Sequence, residues 1–241
     1  MKKRKVAIFD IDGTIFRSSL LIELVHALIE AGIFPNDSIE EFRREHELWL
    51  DRKGDYESYI MAVVDTFQKY LIEVSFSDFN DISKKMVLEH KNRVYRYTRD
   101  LVLELKKADF FLLAISQSPK GVLDSFCNEL GFDKVYGRFY ELGPQDTFTG
   151  EIVDLHLIAN KANIVRRAVE KNNLTLQGSV GVGDTEGDIP FLELVERPIC
   201  FNPNKKLYKW AIRNNAKIIV ERKDVIYDIS KSKDTELYEA S

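Results

Sequence analysis

Val6-Ala7-Ile8-Phe9-Asp10-Ile11-Asp12-Gly13-Thr14 is an apolar run that breaks into an acidic turn. A short, continuous apolar run closed by a turn reads as a strand buried on both faces. Runs of the same kind recur at 110–115, 179–182, 198–201 and 217–220, several ending in Asp, Ser or Gly and followed by helical periodicity. Strand, turn and helix repeated in this way predict an α/β fold with an open parallel sheet. Ligands bind such sheets beyond the carboxyl ends of the strands, where Asp10 and Asp12 would lie. Alternation along an extended chain points both carboxylates to one side, where they repel unless a cation or a proton intervenes. Gly13 lets the chain leave the strand tightly, and Thr14 can hydrogen-bond the turn. Taken alone, the same residues also suit an Asx-rich turn that merely closes a strand.

Between the first two runs, residues 18–96 carry helical stripes and no comparable strand signal. Leu20, Leu21, Leu24, Val25, Leu28 and Ile29 form one stripe, closed by Gly32 and Pro35. Ser38 with Glu41 three residues later predicts a capping box at the start of a second helix. Tyr56, Tyr59, Ile60, Val63, Val64, Phe67, Tyr70 and Leu71 mark a third helix, and Phe79, Ile82, Met86 and Val87 a fourth. The stretch 18–96 therefore reads as a helical domain inserted into a parent domain made of 1–17 and 97–241. Thr98 is the expected cap of the helix carrying Leu101, Val102 and Leu105. Alternation over 138–142 and 148–153 predicts a hairpin, and the tail from Asp224 onward reads as a surface segment.

With 241 residues, 44% of them apolar, the chain can bury a large core; a formal charge of −4 gives no basic field, so no nucleic-acid partner is expected. The basic start is followed by too short an apolar run for a signal peptide, and no stretch is long enough to span a bilayer. Cys127 and Cys200 sit among apolar residues as expected core positions, which fits a reducing, cytoplasmic setting. His26, His46, His90 and His156 form no ligand-like cluster.

Chemistry concentrates in three further places. Gly183-Asp184-Thr185-Glu186-Gly187-Asp188 follows the run at 179–182, which brings a second acidic loop to the same sheet edge. A ligand set of carboxylates without sulfur or imidazole selects a hard divalent cation, with Mg²⁺ favoured and Asp10 and Asp184 as ligands. Asp188 also suits the start of the helix at Ile189-Pro190 as a negative charge. Ser116-Gln117-Ser118-Pro119 follows the run at 110–115, with Ser118 the expected cap and Pro119 the first helical residue. A hydroxyl and free N–H groups there could hold phosphate oxygens through Ser116 and the Gln117 amide. Lys161 opens another helix, where a solvated lysine would also be at home.

In this order the four elements resemble the haloacid dehalogenase superfamily of phosphohydrolases. Asp10 to Thr14 match its D-x-D-G-T motif, Ser116 its second motif, Lys161 its third, and Gly183, Asp184 and Asp188 its G-D-x-x-x-D. The resemblance covers essentially the whole chain. It implies a Rossmann-like core with an all-helical C1-type cap, and the stretch 183–193 followed by Phe201-Asn202-Pro203 is similar to the phosphoserine-phosphatase-like subfamily IB. It also implies roles: Asp10 as nucleophile, Asp12 as general acid and base, and Asp10, the Asp12 carbonyl and Asp184 as Mg²⁺ ligands. Ser116, the Gln117 amide and Lys161 would bind the phosphoryl group, and Asp188 would orient Lys161 or a metal-bound water.

The expected activity is hydrolysis of a small phosphorylated metabolite or lipid head group through an aspartyl-phosphate. Two departures disfavour phosphoserine. Gln117 and Ser118 stand where the relatives read Gly-Gly, and Ser19 occupies the place of their ammonium-binding Glu, with Glu23 one turn further on. Arg43, Arg44, Arg52, Trp49, Tyr56 and Tyr59 are candidate cap contacts to substrate, or simply solvated and core faces. A phosphotransferase or mutase sharing the intermediate is one alternative; a non-catalytic phosphate-binding module is another, which retention of Asp12 argues against. Oligomeric state is not legible.

Overall fold

A computed structural model of the chain describes residues 3–153 and 160–230. Val6 to Phe9 lie in β1 (Arg4–Phe9) and are fully enclosed. β1 is central, pairing in parallel with β2 (Phe111–Pro119) on one side and β5 (Leu174–Gly183) on the other. Parallel pairing continues outward to β3 (Lys134–Leu142), and through β6 (Arg197–Phe201) to β7 (Lys217–Arg222). Antiparallel strands close both edges: β4 (Phe148–Val153) pairs with β3 as the expected hairpin, and β8 (Val225–Asp228) pairs with β7. The sheet order is β4-β3-β2-β1-β5-β6-β7-β8.

The two-residue alternation of β1 divides the core. Ala7 and Phe9 join the cluster containing α5 (Arg96–Lys107) and α6 (Lys120–Leu130), while Val6 and Ile8 join the one under α7 (Lys161–Lys171) and α9 (Lys205–Arg213), with α8 (Ile189–Leu192) between. Cys127 and Cys200 are buried free thiols, one in each cluster. Between β1 and β2 run α1 (Leu20–Glu30), α2 (Glu40–Leu50), α3 (Tyr56–Leu71) and α4 (Phe76–His90). Their apolar stripes are continuous with the first cluster. None of the described helices is long and apolar enough to cross a membrane.

Two backbone attachments bind these helices to the sheet. At the chain crossings, Arg17 N–H donates to the Arg93 carbonyl and Tyr95 N–H to that of Ile15, each at 2.9 Å. At the far side, the α3–α4 turn zips onto the β3–β4 hairpin: Glu73 N–H donates to Phe148 O at 2.9 Å, Phe148 N–H to Val74 O at 3.0 Å and Phe76 N–H to Asp146 O at 2.8 Å.

Several local expectations give way to tertiary contacts. Ser38 heads no α-helix; it lies in a 3₁₀ turn, Asn36–Ile39, and donates its hydroxyl to the Pro35 carbonyl at 2.6 Å. Thr98 sits inside α5, whose first N–H groups at Arg96 and Tyr97 are capped by the Glu221 carboxylate of β7 at 3.0 and 2.8 Å. Ser118 caps no helix either, because β2 runs on through it and α6 starts only at Lys120. Residues 225–228 of the expected surface tail form β8. His156 lies outside the described residues.

Candidate active site

Asp10 follows β1, and its N–H donates to the Val182 carbonyl of β5 at 2.9 Å, so two neighbouring strands fix its backbone. The chain then turns sharply. Gly13 has φ +79°, and a Cβ there would lie 2.2 Å from Asp184 Oδ2, so both conformation and space demand glycine. Thr14 donates to Asp184 Oδ1 at 3.2 Å, and its carbonyl accepts from buried Thr98 at 2.8 Å. The turn after β1 is thereby locked to the second acidic loop and to α5.

Lys161, at the first position of α7, reaches the same point. Its Nζ donates to Asp10 Oδ1 at 2.5 Å and to Asp188 Oδ1 at 2.6 Å, with Asp10 5%, Lys161 7% and Asp188 0% exposed. The other Asp188 oxygen accepts the N–H groups of Asp184 and Thr185 at 2.9 and 3.1 Å, closing a capping box with Thr185. Asp188 thus spends both oxygens on holding the loop and the lysine. Asp10, Asp184 and Asp188 form an acidic cluster with ligand oxygens within 4.8 Å of one another. Burial, opposed by Lys161 and reinforced by Asp188 and Asp12, pushes the Asp10 carboxyl up to about 8. Desolvation and the nearby Asp10 and Asp188 also raise Asp184 well above the ordinary range. Burial lowers the Lys161 pKa, but the two aspartates outweigh it and the net shift is upward. A cluster so charged, built from oxygen alone, fits a hard divalent cation.

Asp12 belongs to a different set of contacts. Its Oδ1 accepts the N–H of Leu20 at 2.6 Å; its Oδ2 accepts the Ser116 hydroxyl, and that of Ser118 at 2.8 Å. Both serines reach it because β2 shifts register between Ile115 and Pro119, an irregularity that re-aims side chains. Gln117, between them, is exposed and accepts from Arg138 Nε at 3.1 Å. Sequence reasoning assigned Ser118 to a helix cap and missed its hydroxyl; the signal was the Ser-x-Ser spacing after a strand.

The candidate substrate contacts divide. Arg43, Arg44 and Arg52 are exposed, and Arg43 pairs with Glu40 of its own helix at 2.5 Å. Ser19 caps α1 by accepting the Leu21 N–H at 3.2 Å, and Glu23 is paired with Arg93 at 2.8 Å beside His90 at 3.8 Å. Trp49, Tyr56 and Tyr59 pack together, with His46 stacked on Tyr59.

Sequence comparison matches residues 7–193 to the family described as haloacid dehalogenase-like hydrolase. The histidinol-phosphatase of Neisseria meningitidis serogroup C is 22% identical over 215 residues, covering 86% of this chain and 95% of that protein. A protein of unknown function from Bordetella pertussis shares the fold at a TM-score of 0.71, with 17% identity over 90% of this chain and 98% of its own. A phosphoserine phosphatase solved as a phospho-aspartyl intermediate analogue gives 0.61 and 19%, over 92% and 96%. With its family match spanning the turn after β1, both serines, the lysine and the second acidic loop, the chain belongs to the haloacid dehalogenase-like hydrolases.

Proposed function

We propose that the chain is a Mg²⁺-dependent phosphatase that cleaves a small phosphate monoester through an aspartyl-phosphate on Asp10. The observation that carries this reading is the division of labour between two neighbouring aspartates. Asp10 faces Lys161 and the acidic cluster, whereas Asp12 is held apart by two hydroxyls and an N–H. The names of the similar proteins, histidinol-phosphatase and phosphoserine phosphatase, support phosphomonoester chemistry.

In the proposed reaction an Asp10 carboxylate oxygen attacks phosphorus and the bond from phosphorus to the ester oxygen breaks. Asp12 gives its proton to the departing alcohol oxygen. Water then attacks the phosphorus of the aspartyl-phosphate; Asp12 takes the proton from that water, and phosphate leaves with Asp10 restored. Lys161 and Ser116 hold phosphoryl oxygens, joined by the Gln117 N–H. A phosphoryl oxygen taking the Ser116 hydroxyl would release one of the contacts that now occupy Asp12. Asp10, Asp184 and the Asp12 carbonyl would hold Mg²⁺, with Asp188 keeping Lys161 and the loop in place. When bound, the ion neutralises charge on the nucleophile and the phosphate. Residues 18–96 act in this reading as a cap on a core made of 1–17 and 97–241, excluding bulk water during chemistry. Phosphoserine is disfavoured, since Ser19 is a helix cap and Glu23 is neutralised by Arg93.

A panel of phosphate monoesters assayed with and without Mg²⁺ tests the reading. Wild type should turn over part of the panel only with the ion, and Asp10→Asn should lose about 10³-fold or more in kcat. Undiminished Asp10→Asn turnover would sink the covalent route, and an inert wild type would sink the phosphatase assignment.

A further inference from the structure

A row of rings runs along the facing sides of α2 and α3. His46 and Trp49 are three residues apart on α2, and Tyr56 and Tyr59 three apart on α3, so each pair shares one face of its helix. His46 and Trp49 both lie nearly parallel to Tyr59, at 4.7 Å and 24° for the first and 5.6 Å and 18° for the second. Tyr56 closes the row, edge-on to Trp49 at 5.6 Å and 61°.

The Tyr56 end of this row is tied to the loop that carries Asp184 and Asp188. Lys206 Nζ, at the start of α9, lies 2.5 Å from Glu186 and 3.7 Å from Glu57, so it bridges the loop between Asp184 and Asp188 to the first turn of α3. Tyr56 adjoins Glu57 there and remains 38% exposed. Burial, and after it the charges of Asp12 and Asp184, raise the phenol pKa. Burial, and after it the Glu23 charge, raise the Tyr59 phenol at the other end of the row; Glu23 is already paired with Arg93.

Resting on the phosphatase reading, we propose that Trp49 and Tyr56 line the leaving-group pocket, backed by the buried Tyr59, and that the preferred substrate carries a planar aromatic or heteroaromatic ring on its alcohol. Such a ring extends a row already formed on the protein side, at the end tied through Lys206 to the second acidic loop. An ammonium group would meet no unpaired carboxylate at Glu23, so it is not the feature selected. Offset and edge-on ring contacts add to the apolar area that the ring buries.

Binding can be read without turnover. The chain has two tryptophans, so Trp210→Phe leaves Trp49 as the sole emitter. In that background, with Mg²⁺, 2-phenylethylphosphonate should change the emission saturably and bind about fivefold or more tighter than n-butylphosphonate. Adding Tyr56→Leu should bring the two affinities within about twofold of each other. Equal affinities in the parent, an unchanged emission, tighter binding of 2-aminoethylphosphonate, or selectivity that survives Tyr56→Leu would each overturn the proposal. Acetyl phosphate, which carries no ring, is assayed in parallel on wild type. Its hydrolysis beside a failed phosphonate preference sinks only the aromatic pocket, whereas a wild type inert on acetyl phosphate and on the whole monoester panel sinks the phosphatase reading beneath it.

Discussion

Asp188 shows how one side chain can set the geometry of a site without being free to react. Fully enclosed, it accepts from Lys161 and from two successive backbone N–H groups, so its removal takes one of two carboxylate partners from the buried ammonium and leaves two donors unpaired. Breaking a buried, hydrogen-bonded charge network by deleting one member is among the costly substitutions, so Asp188→Ala should lose about 3 kcal/mol or more. Urea unfolding of the metal-free variant checks this; a loss under about 1 kcal/mol would mean that the network does not hold the loop. The resemblance carried by the acidic turns and the lysine, in their order along the chain, singled out Asp10, Lys161, Asp184 and Asp188 as a group. What stayed hidden were the partners chosen across long sequence separations. Ser118 before Pro119 satisfies every local rule for a cap, yet its hydroxyl goes to Asp12, more than a hundred residues earlier. Thr98 similarly gives its hydroxyl to Thr14, while a carboxylate from β7 does the capping.

Among the elements, α3 carries the most consequence for the proposed leaving-group pocket. Its N-cap is Asp55, whose Oδ1 accepts the Ser58 N–H at 2.7 Å, and the next residue is Tyr56. This bond, with the backbone donors around it, holds the Asp55 carboxyl below its usual pKa. Asp55→Ala removes the cap and should lower the urea midpoint with an unchanged slope. No loss at all would show that the first turn of α3 is held by Glu57 and Lys206 instead. The elements themselves were largely readable, because enclosed strands such as Val6 to Phe9 are apolar throughout and the stripes of α1, α3 and α4 recur at helical spacing. β8 escaped notice for a physical reason: it is a four-residue edge strand, mostly exposed, whose sequence carries little burial signal. The zip between the α3–α4 turn and the hairpin was equally silent, since it consists of backbone hydrogen bonds that no side chain encodes.

For the whole molecule, the acidic cluster joins stability to cation binding. Asp10 in the folded chain is raised from its ordinary value of 3.8 to about 8, chiefly by burial. A carboxyl whose folded pKa lies above its unfolded one favours folding in its protonated form. In metal-free protein the unfolded state gives up that proton near pH 4, the folded state only near pH 8, and Asp10 therefore lowers stability progressively as pH rises through that window. A divalent cation binding the ionised cluster in the folded state alone reverses the penalty by mass action. At a Mg²⁺ concentration about 100 times its dissociation constant the gain is about 2.7 kcal/mol. For a chain of this size that corresponds to a rise in melting temperature of about 5 to 10 °C. Calorimetry should thus show a larger Mg²⁺ stabilisation at pH 8 than at pH 6, because protons compete for Asp10 at the lower pH. Asp184→Asn should abolish most of the shift at both, since it removes a carboxylate ligand and part of the repulsion together. A Mg²⁺ shift that is equal at the two pH values and survives Asp184→Asn would place the ion elsewhere on the molecule.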